Sequence, residues 1–218
     1  MHTLALIHTG FVVVEPINKI VEEVLPGIRV LNLVDDSIIP EIRNRGKITP
    51  EVIQRVCNYT IGMKAAGADV ILITCSSISP VVDIVKSFVD IPVLKIDEPM
   101  AEEAVKKGEV IGVVATSNTT LKPTTDLLTK KAIELKKKIK LKTVLCKDAF
   151  DAILSGKTDL HDRLVREEIE KISKDVDIIV LAQASMARII SVVEKDIDIP
   201  ILCSPRLAIE KIKRIIKN

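Results

Sequence analysis

The chain has 218 residues, 47 % of them hydrophobic, which is enough for one sizeable core or two small ones. A net charge of +2 and an aromatic content of 2 % exclude a surface that binds nucleic acid through charge and base stacking. No apolar run reaches the length of a membrane span, and Met1-His2-Thr3 enters an apolar stretch with no basic leader segment.

In chain order, short apolar runs alternate with helical patterns, the signature of βα units and parallel sheets. Strands are expected near residues 3–8, 28–33, 70–74 and 92–96, with helices near 16–24, 50–66 and 79–88. Thr49-Pro50 and Ser79-Pro80 each read as a capping hydroxyl followed by proline at the first helical position. Gly67 reads as a helix C-terminal cap, and a further helix runs from Glu98-Pro99 to Lys106. Strands recur near 110–115, 140–145, 177–182 and 200–203. Helices fall near 122–136, 159–174 and 185–195, with a last one from Arg206-Leu207 to Lys217. The densest basic stretch, Lys136-Lys137-Lys138, closes a helical pattern and reads as a solvated face.

The second set of elements repeats the first. At a shift of 107 residues Leu6-Ile7-His8-Thr9 falls on Val113-Val114-Ala115-Thr116, and Pro16 falls on Pro123. At a shift of 108, Asp69-Val70-Ile71-Leu72-Ile73 falls on Asp177-Ile178-Ile179-Val180-Leu181, and Ile91-Pro92-Val93-Leu94 on Ile199-Pro200-Ile201-Leu202. The expected fold is therefore α/β, with two pseudo-symmetric lobes from an internal duplication, each a four-stranded, mainly parallel sheet flanked by helices. The lobes are expected at residues 1–98 and 99–206, with helix 207–218 packing on the first. Within this alignment Cys75 lies opposite Gln183.

Open parallel sheets bind ligands beyond the carboxyl ends of their strands, where helix N-termini present N–H groups. Four polar loops occupy those ends in two related pairs: His8-Thr9-Gly10 with Ala115-Thr116-Ser117-Asn118-Thr119-Thr120, and Thr74-Cys75-Ser76-Ser77 with Gln183-Ala184-Ser185. Hydroxyls and free N–H groups suit a carboxylate. Structural capping produces the same composition in any single loop, but four loops at equivalent strand ends favour a site. Cys75 is the sharpest candidate for chemistry, since helix N–H groups at a strand-to-helix turn lower a thiol pKa and make the thiolate a base or nucleophile. Cys57 and Cys146 read as packing residues, and Cys203, opposite Lys95, ranks below Cys75. His8 reads as a hydrogen-bonded structural residue or a proton carrier, while His2 and His161 show no convergent partners. No CxxC, metal-ligand spacing or glycine-rich phosphate loop is present in the sequence, which points to a reducing cytoplasm and no metal.

These residues resemble the aspartate/glutamate racemase superfamily, which includes aspartate, glutamate and hydantoin racemases, maleate isomerase and arylmalonate decarboxylase. Ile73-Thr74-Cys75-Ser76-Ser77 resembles the family's first cysteine turn, and Gly112-Val113-Val114-Ala115-Thr116, continuing to Asn118-Thr119, resembles the turn that holds the substrate carboxylate. The resemblance implies an active cleft between two lobes, no cofactor, a small carboxylate or amino-acid substrate and, as is common in the family, a homodimer. It also implies two cysteines on opposite faces of the substrate α-carbon, one removing the proton and the other returning it. Cys75 matches the first. At the second, Val180-Leu181-Ala182-Gln183-Ala184-Ser185 stands where the family has Gly-Cys-Thr after an apolar strand, and an amide exchanges no proton near neutral pH. Thr9, Thr74, Ser76, Ser77, Thr116, Asn118, Thr119 and Ser185 are the expected substrate-binding residues. Three activities fit: a racemase or isomerase using Cys75, a one-cysteine decarboxylase or lyase, and a non-catalytic carboxylate-binding protein.

Overall fold

The structure is a computed structural model and describes residues 2–217. Eight strands form two parallel sheets: β1 (Thr3–His8), β2 (Arg29–Val34), β3 (Val70–Ile73) and β4 (Val93–Lys95), then β5 (Val110–Ala115), β6 (Lys140–Leu145), β7 (Ile178–Leu181) and β8 (Ile201–Cys203). The strand orders are β2-β1-β3-β4 and β6-β5-β7-β8. The registers match, with Leu6 opposite Asn32 and Leu72 in the first sheet and Val113 opposite Thr143 and Val180 in the second. The expected α/β duplication is thus the fold that forms.

The inner strands are continuous apolar runs because helices cover both faces of a parallel sheet. β1, β3 and β7 are buried at every residue, whereas the edge strands β2 and β6 are at best half-buried along their length. The helices are α1 (Val14–Val24), α2 (Ile38–Arg45), α3 (Pro50–Ala65), α4 (Val82–Val85), α5 (Glu98–Lys107), α6 (Asn118–Glu134), α7 (Lys147–Leu154), α8 (Thr158–Ile172), α9 (Ile190–Val193) and α10 (Ser204–Lys217). Short 3-10 stretches, Ser76–Val81 and Ala184–Ile189, lead into α4 and α9. Each unit has its own core, one built around Ile7, Ile71, Ile73 and Val56, the other around Val114, Ile179, Leu181 and Ile169.

The chain divides into two compact units. One takes the chain up to Ile96 and again from Pro205, and the other runs Asp97–Ser204. The helix α10 is therefore counted with the first unit, where Arg206 pairs with Glu23 of α1.

Several local expectations need correction. Helices α1 and α6 begin earlier than the expected residues 16 and 122: α1 begins at Val14, with Pro16 in its first turn, and α6 begins at Asn118, with Pro123 inside it. In the first turn a missing N–H costs nothing, because that donor has no intrahelical acceptor. Ser117 instead caps α6, accepting from Thr119 N at 3.3 Å. Pro80 lies within the 3-10 stretch and does not open a helix, while Thr49-Pro50 caps α3 as expected, Thr49 Oγ1 accepting from Val52 N at 3.3 Å. Helices α2 and α7 were not anticipated; each is eight residues long.

Helix α6 ends in a Schellman-type turn, with Lys137 N bonded to Ala132 O at 2.9 Å and Lys136 left-handed at φ 53. Glycine fills that conformation after α2, α3 and α7. Because the side chain of Lys136 resists it, Lys136→Gly is expected to stabilise the chain by about 1 kcal/mol, raising Tm by roughly 2–4 °C in a thermal melt. An unchanged or lower Tm would show that the turn carries no strain.

Candidate functional site

In each sheet the connections leave the first strand in opposite directions, so the crevice at the strand carboxyl ends lies between β1 and β3 in one unit and between β5 and β7 in the other. The first crevice is flanked by Thr9 and the turn Thr74–Ser79, the second by Thr116 and the turn that begins at Gln183.

Cys75 occupies the cap position ahead of its 3-10 stretch, with φ −129 and ψ 119. Thr74, Ser76, Ser77 and Ser79 around it are buried, whereas Cys75 is half-open. Burial pushes the Cys75 thiol above its ordinary value, and four donors oppose that push: the Thr9 hydroxyl, the N–H and hydroxyl of Ser77, and the N–H of Ile78. The expectation that helix N–H groups lower this pKa is therefore corrected. The donors are present, but loss of water around the sulfur outweighs them. The resting thiol is protonated at neutral pH, and the thiolate is a minor species already solvated by four N–H and O–H groups.

Gln183 holds the same position in the second unit, with φ −134 and ψ 134. Its Oε1 accepts from Thr116 N at 2.7 Å and from Thr116 Oγ1 at 2.9 Å. A backbone N–H only donates, so the atom facing it is the oxygen and the amide orientation is settled. The two N–H donors of Nε2 consequently face away from Thr116. Thr9 with Cys75 and Thr116 with Gln183 are equivalent pairs: in both units a threonine hydroxyl after the first strand bonds the side chain that caps the turn after the third. Beside Thr116, Ser117 Oγ lies 2.9 Å from Thr119 Oγ1, and Asn118 opens α6 in an exposed position.

The turn after Gln183 is clasped from behind. Arg188 donates to Ser185 O at 2.9 Å and grips Asp162, with Nη2 to Oδ1 at 2.7 Å and Nε to Oδ2 at 3.0 Å. His161, fully buried, lies 2.7 Å from Asp162 Oδ1 through Nδ1, and burial holds it below its ordinary pKa. His161 thus has partners that sequence reasoning missed; the signal available was its place on the buried stripe with Val165, Ile169 and Ile172.

Cys203 is buried behind the Gln183 turn, with Sγ 3.5 Å from Gln183 O, and burial pushes its thiol to about 12. That removes it as a replacement acid near neutral pH. Cys146 is likewise pushed up to about 12 and packs in the second core, and Cys57 packs in the first. His8 is fully buried, bonded at both ring nitrogens, and Lys95 pairs with Asp83 at 2.8 Å. Among the described residues no group of three His, Cys, Asp or Glu side chains is arranged to hold a metal ion, and no helix is long and apolar enough to cross a membrane.

The sequence profile of the Asp/Glu/hydantoin racemase family matches residues 7–212. The chain belongs to this family. Solved structures of racemases share its fold. An aspartate racemase from Picrophilus torridus is 19 % identical, with a TM-score of 0.75, covering 98 % of this chain and 94 % of its own. A glutamate racemase from Francisella tularensis subsp. tularensis, described in complex with D-glutamate, is 19 % identical with a TM-score of 0.74, over 99 % of this chain and 81 % of its own. An allantoin racemase from Klebsiella pneumoniae is 17 % identical with a TM-score of 0.73, over 100 % of this chain and 88 % of its own. No curated protein matches the sequence. In the second unit of this chain, Gln183, an amide locked onto Thr116, holds the position equivalent to Cys75.

Proposed function

We infer that this family member is a cofactor-independent enzyme of the isomerase type, acting at the α-carbon of a small carboxylate or amino acid with Cys75 as the base. The observation that carries this reading is the half-open thiol of Cys75, backed by four hydrogen-bond donors in a turn at the strand switch point. Such a thiol takes a proton as thiolate, and the donors offset the charge that forms and disappears on sulfur. Within the second unit, the Nε2 donors of Gln183 and the N-terminus of α6 suit a carboxylate oxygen. Gln183 itself neither takes nor gives a proton near neutral pH, so the chemistry we assign is proton transfer through a single thiol.

The test is α-proton exchange in deuterated water, followed by proton NMR, on each enantiomer of aspartate, glutamate and allantoin, the compounds acted on by the structural neighbours' named activities. Exchange of one enantiomer in preference to the other is expected for at least one of these. Because the folded thiol lies above its ordinary value, the reactive thiolate grows with pH, and the rate should climb about tenfold per pH unit while the thiol remains mostly protonated. Equal exchange of both enantiomers, or a rate independent of pH across the neutral range, would remove the single-thiol reading.

A further inference from the structure

We propose that His8, held between Thr74 and Asn32, is a positioning residue that keeps the Thr9 hydroxyl and the Cys75 sulfur in register. His8 ends the central strand β1 and is fully buried. Its Nε2 lies 2.9 Å from Asn32 Oδ1 on β2, and its Nδ1 lies 2.8 Å from Thr74 Oγ1, just beyond β3. One imidazole therefore braces three adjacent strand ends. Thr74 N also donates to Ile7 O at 3.0 Å, and Thr74 Oγ1 lies 3.0 Å from the same oxygen. The dipeptide His8-Thr9 thus lies against the dipeptide Thr74-Cys75: His8 holds Thr74, and Thr9 holds the thiol.

The second unit supplies an internal control. Its equivalents of His8, Thr74 and Asn32 are Ala115, Ala182 and Thr143. It nonetheless makes the same turn, with Ala182 N bonded to Val114 O at 2.9 Å and Gln183 in nearly the backbone conformation of Cys75. The strand ends and the turn therefore form without a brace. The brace occurs in the unit that carries the thiol and is absent from the unit that carries the amide, so its role lies with the sulfur. A buried polar network is costly unless every member is satisfied. Here both ring nitrogens are satisfied, and burial keeps His8 neutral, below its ordinary pKa. A neutral ring has one N–H, and the pairing that satisfies both ends is Nε2–H donating to Asn32 with Nδ1 accepting from the Thr74 hydroxyl.

This inference rests on Cys75 being the acting thiol, but its test reads the thiol directly and needs no substrate. The pH dependence of Cys75 alkylation by iodoacetamide, located by mass spectrometry, is measured on the full chain. In His8→Leu/Thr74→Val both partners become apolar groups of similar size, an exchange that is close to neutral for stability. Tm is expected to stay within a few degrees of wild type, while alkylation near neutral pH slows about tenfold as the Thr9 donor loses its register. Thr74→Val alone, which opens no cavity, should give the same slowing, and Thr74→Ser, which keeps the hydroxyl, should recover most of the rate. Folded variants with the wild-type alkylation profile would overturn the proposal. So would a Thr74→Ser that reacts as slowly as Thr74→Val. Failure of the single-thiol reading would look different: the alkylation rates of the series follow the expected order, while the wild type exchanges no substrate proton.

Discussion

Cys75→Ala is expected to lower α-proton exchange by about 10³-fold, within the range that a positioned general base contributes. The substitution removes one sulfur from a half-open position, and the fold should survive with little change in Tm. Residual exchange measures what the carboxylate-binding donors achieve without a base. Cys75→Ser sharpens the test, because serine keeps the shape and hydrogen bonds of the side chain but not its acidity. An alanine variant that folds and exchanges at the wild-type rate would take Cys75 out of the mechanism. Another group would then have to supply the base, and Cys203 and Cys146, both pushed to about 12, are poorly suited to it.

The second large effect is a gain. Gln183→Cys is expected to gain a thiol that iodoacetamide alkylates about tenfold faster per pH unit while it remains mostly protonated, as at Cys75, with the site located by mass spectrometry. The surroundings for a thiolate are already in place at residue 183. The Thr116 N–H and hydroxyl now spend two donors on Gln183 Oε1, at 2.7 and 2.9 Å, and would offer them to a sulfur as Thr9 does to Cys75. The backbone there already matches that of a residue that carries a thiol. If the variant folds and its new thiol reacts with a pH dependence unlike that of Cys75, the two turns do not offer a sulfur equivalent surroundings.

Much of this was legible from residue order. Continuous apolar runs such as Leu4–Ile7 and Ile178–Leu181 identify inner strands of covered parallel sheets because no polar face interrupts them. Comparing the repeats places Cys75 and Gln183 at one structural position, and the backbone angles agree. Other features depend on three-dimensional register. The brace at His8 exists because Asn32 and Thr74 come from strands on either side of β1, 24 and 66 residues away in sequence. The acidity of Cys75 was misjudged because hydrogen-bond donors are visible in a turn sequence while the loss of water around the sulfur is not. The starts of α1 and α6 were expected two and four residues late, near 16 and 122, because Pro16 is tolerated within a first turn and α6 begins at the Ser117 cap with Pro123 inside the helix. Helix α2 escaped notice because Pro40 interrupts its apolar pattern.

The first unit is built from two stretches of chain, up to Ile96 and from Pro205 onward, while the second is a single unbroken insertion. Synthesis proceeds from the N-terminus, so the inserted unit has all its residues before the host unit receives α10. The host must then close over a long intervening segment, a cost on the order of 4 kcal/mol if that segment were still unfolded and less once it is compact. The unit that bears Cys75 is thus completed last, and its assembly is favoured by prior folding of the unit that bears Gln183.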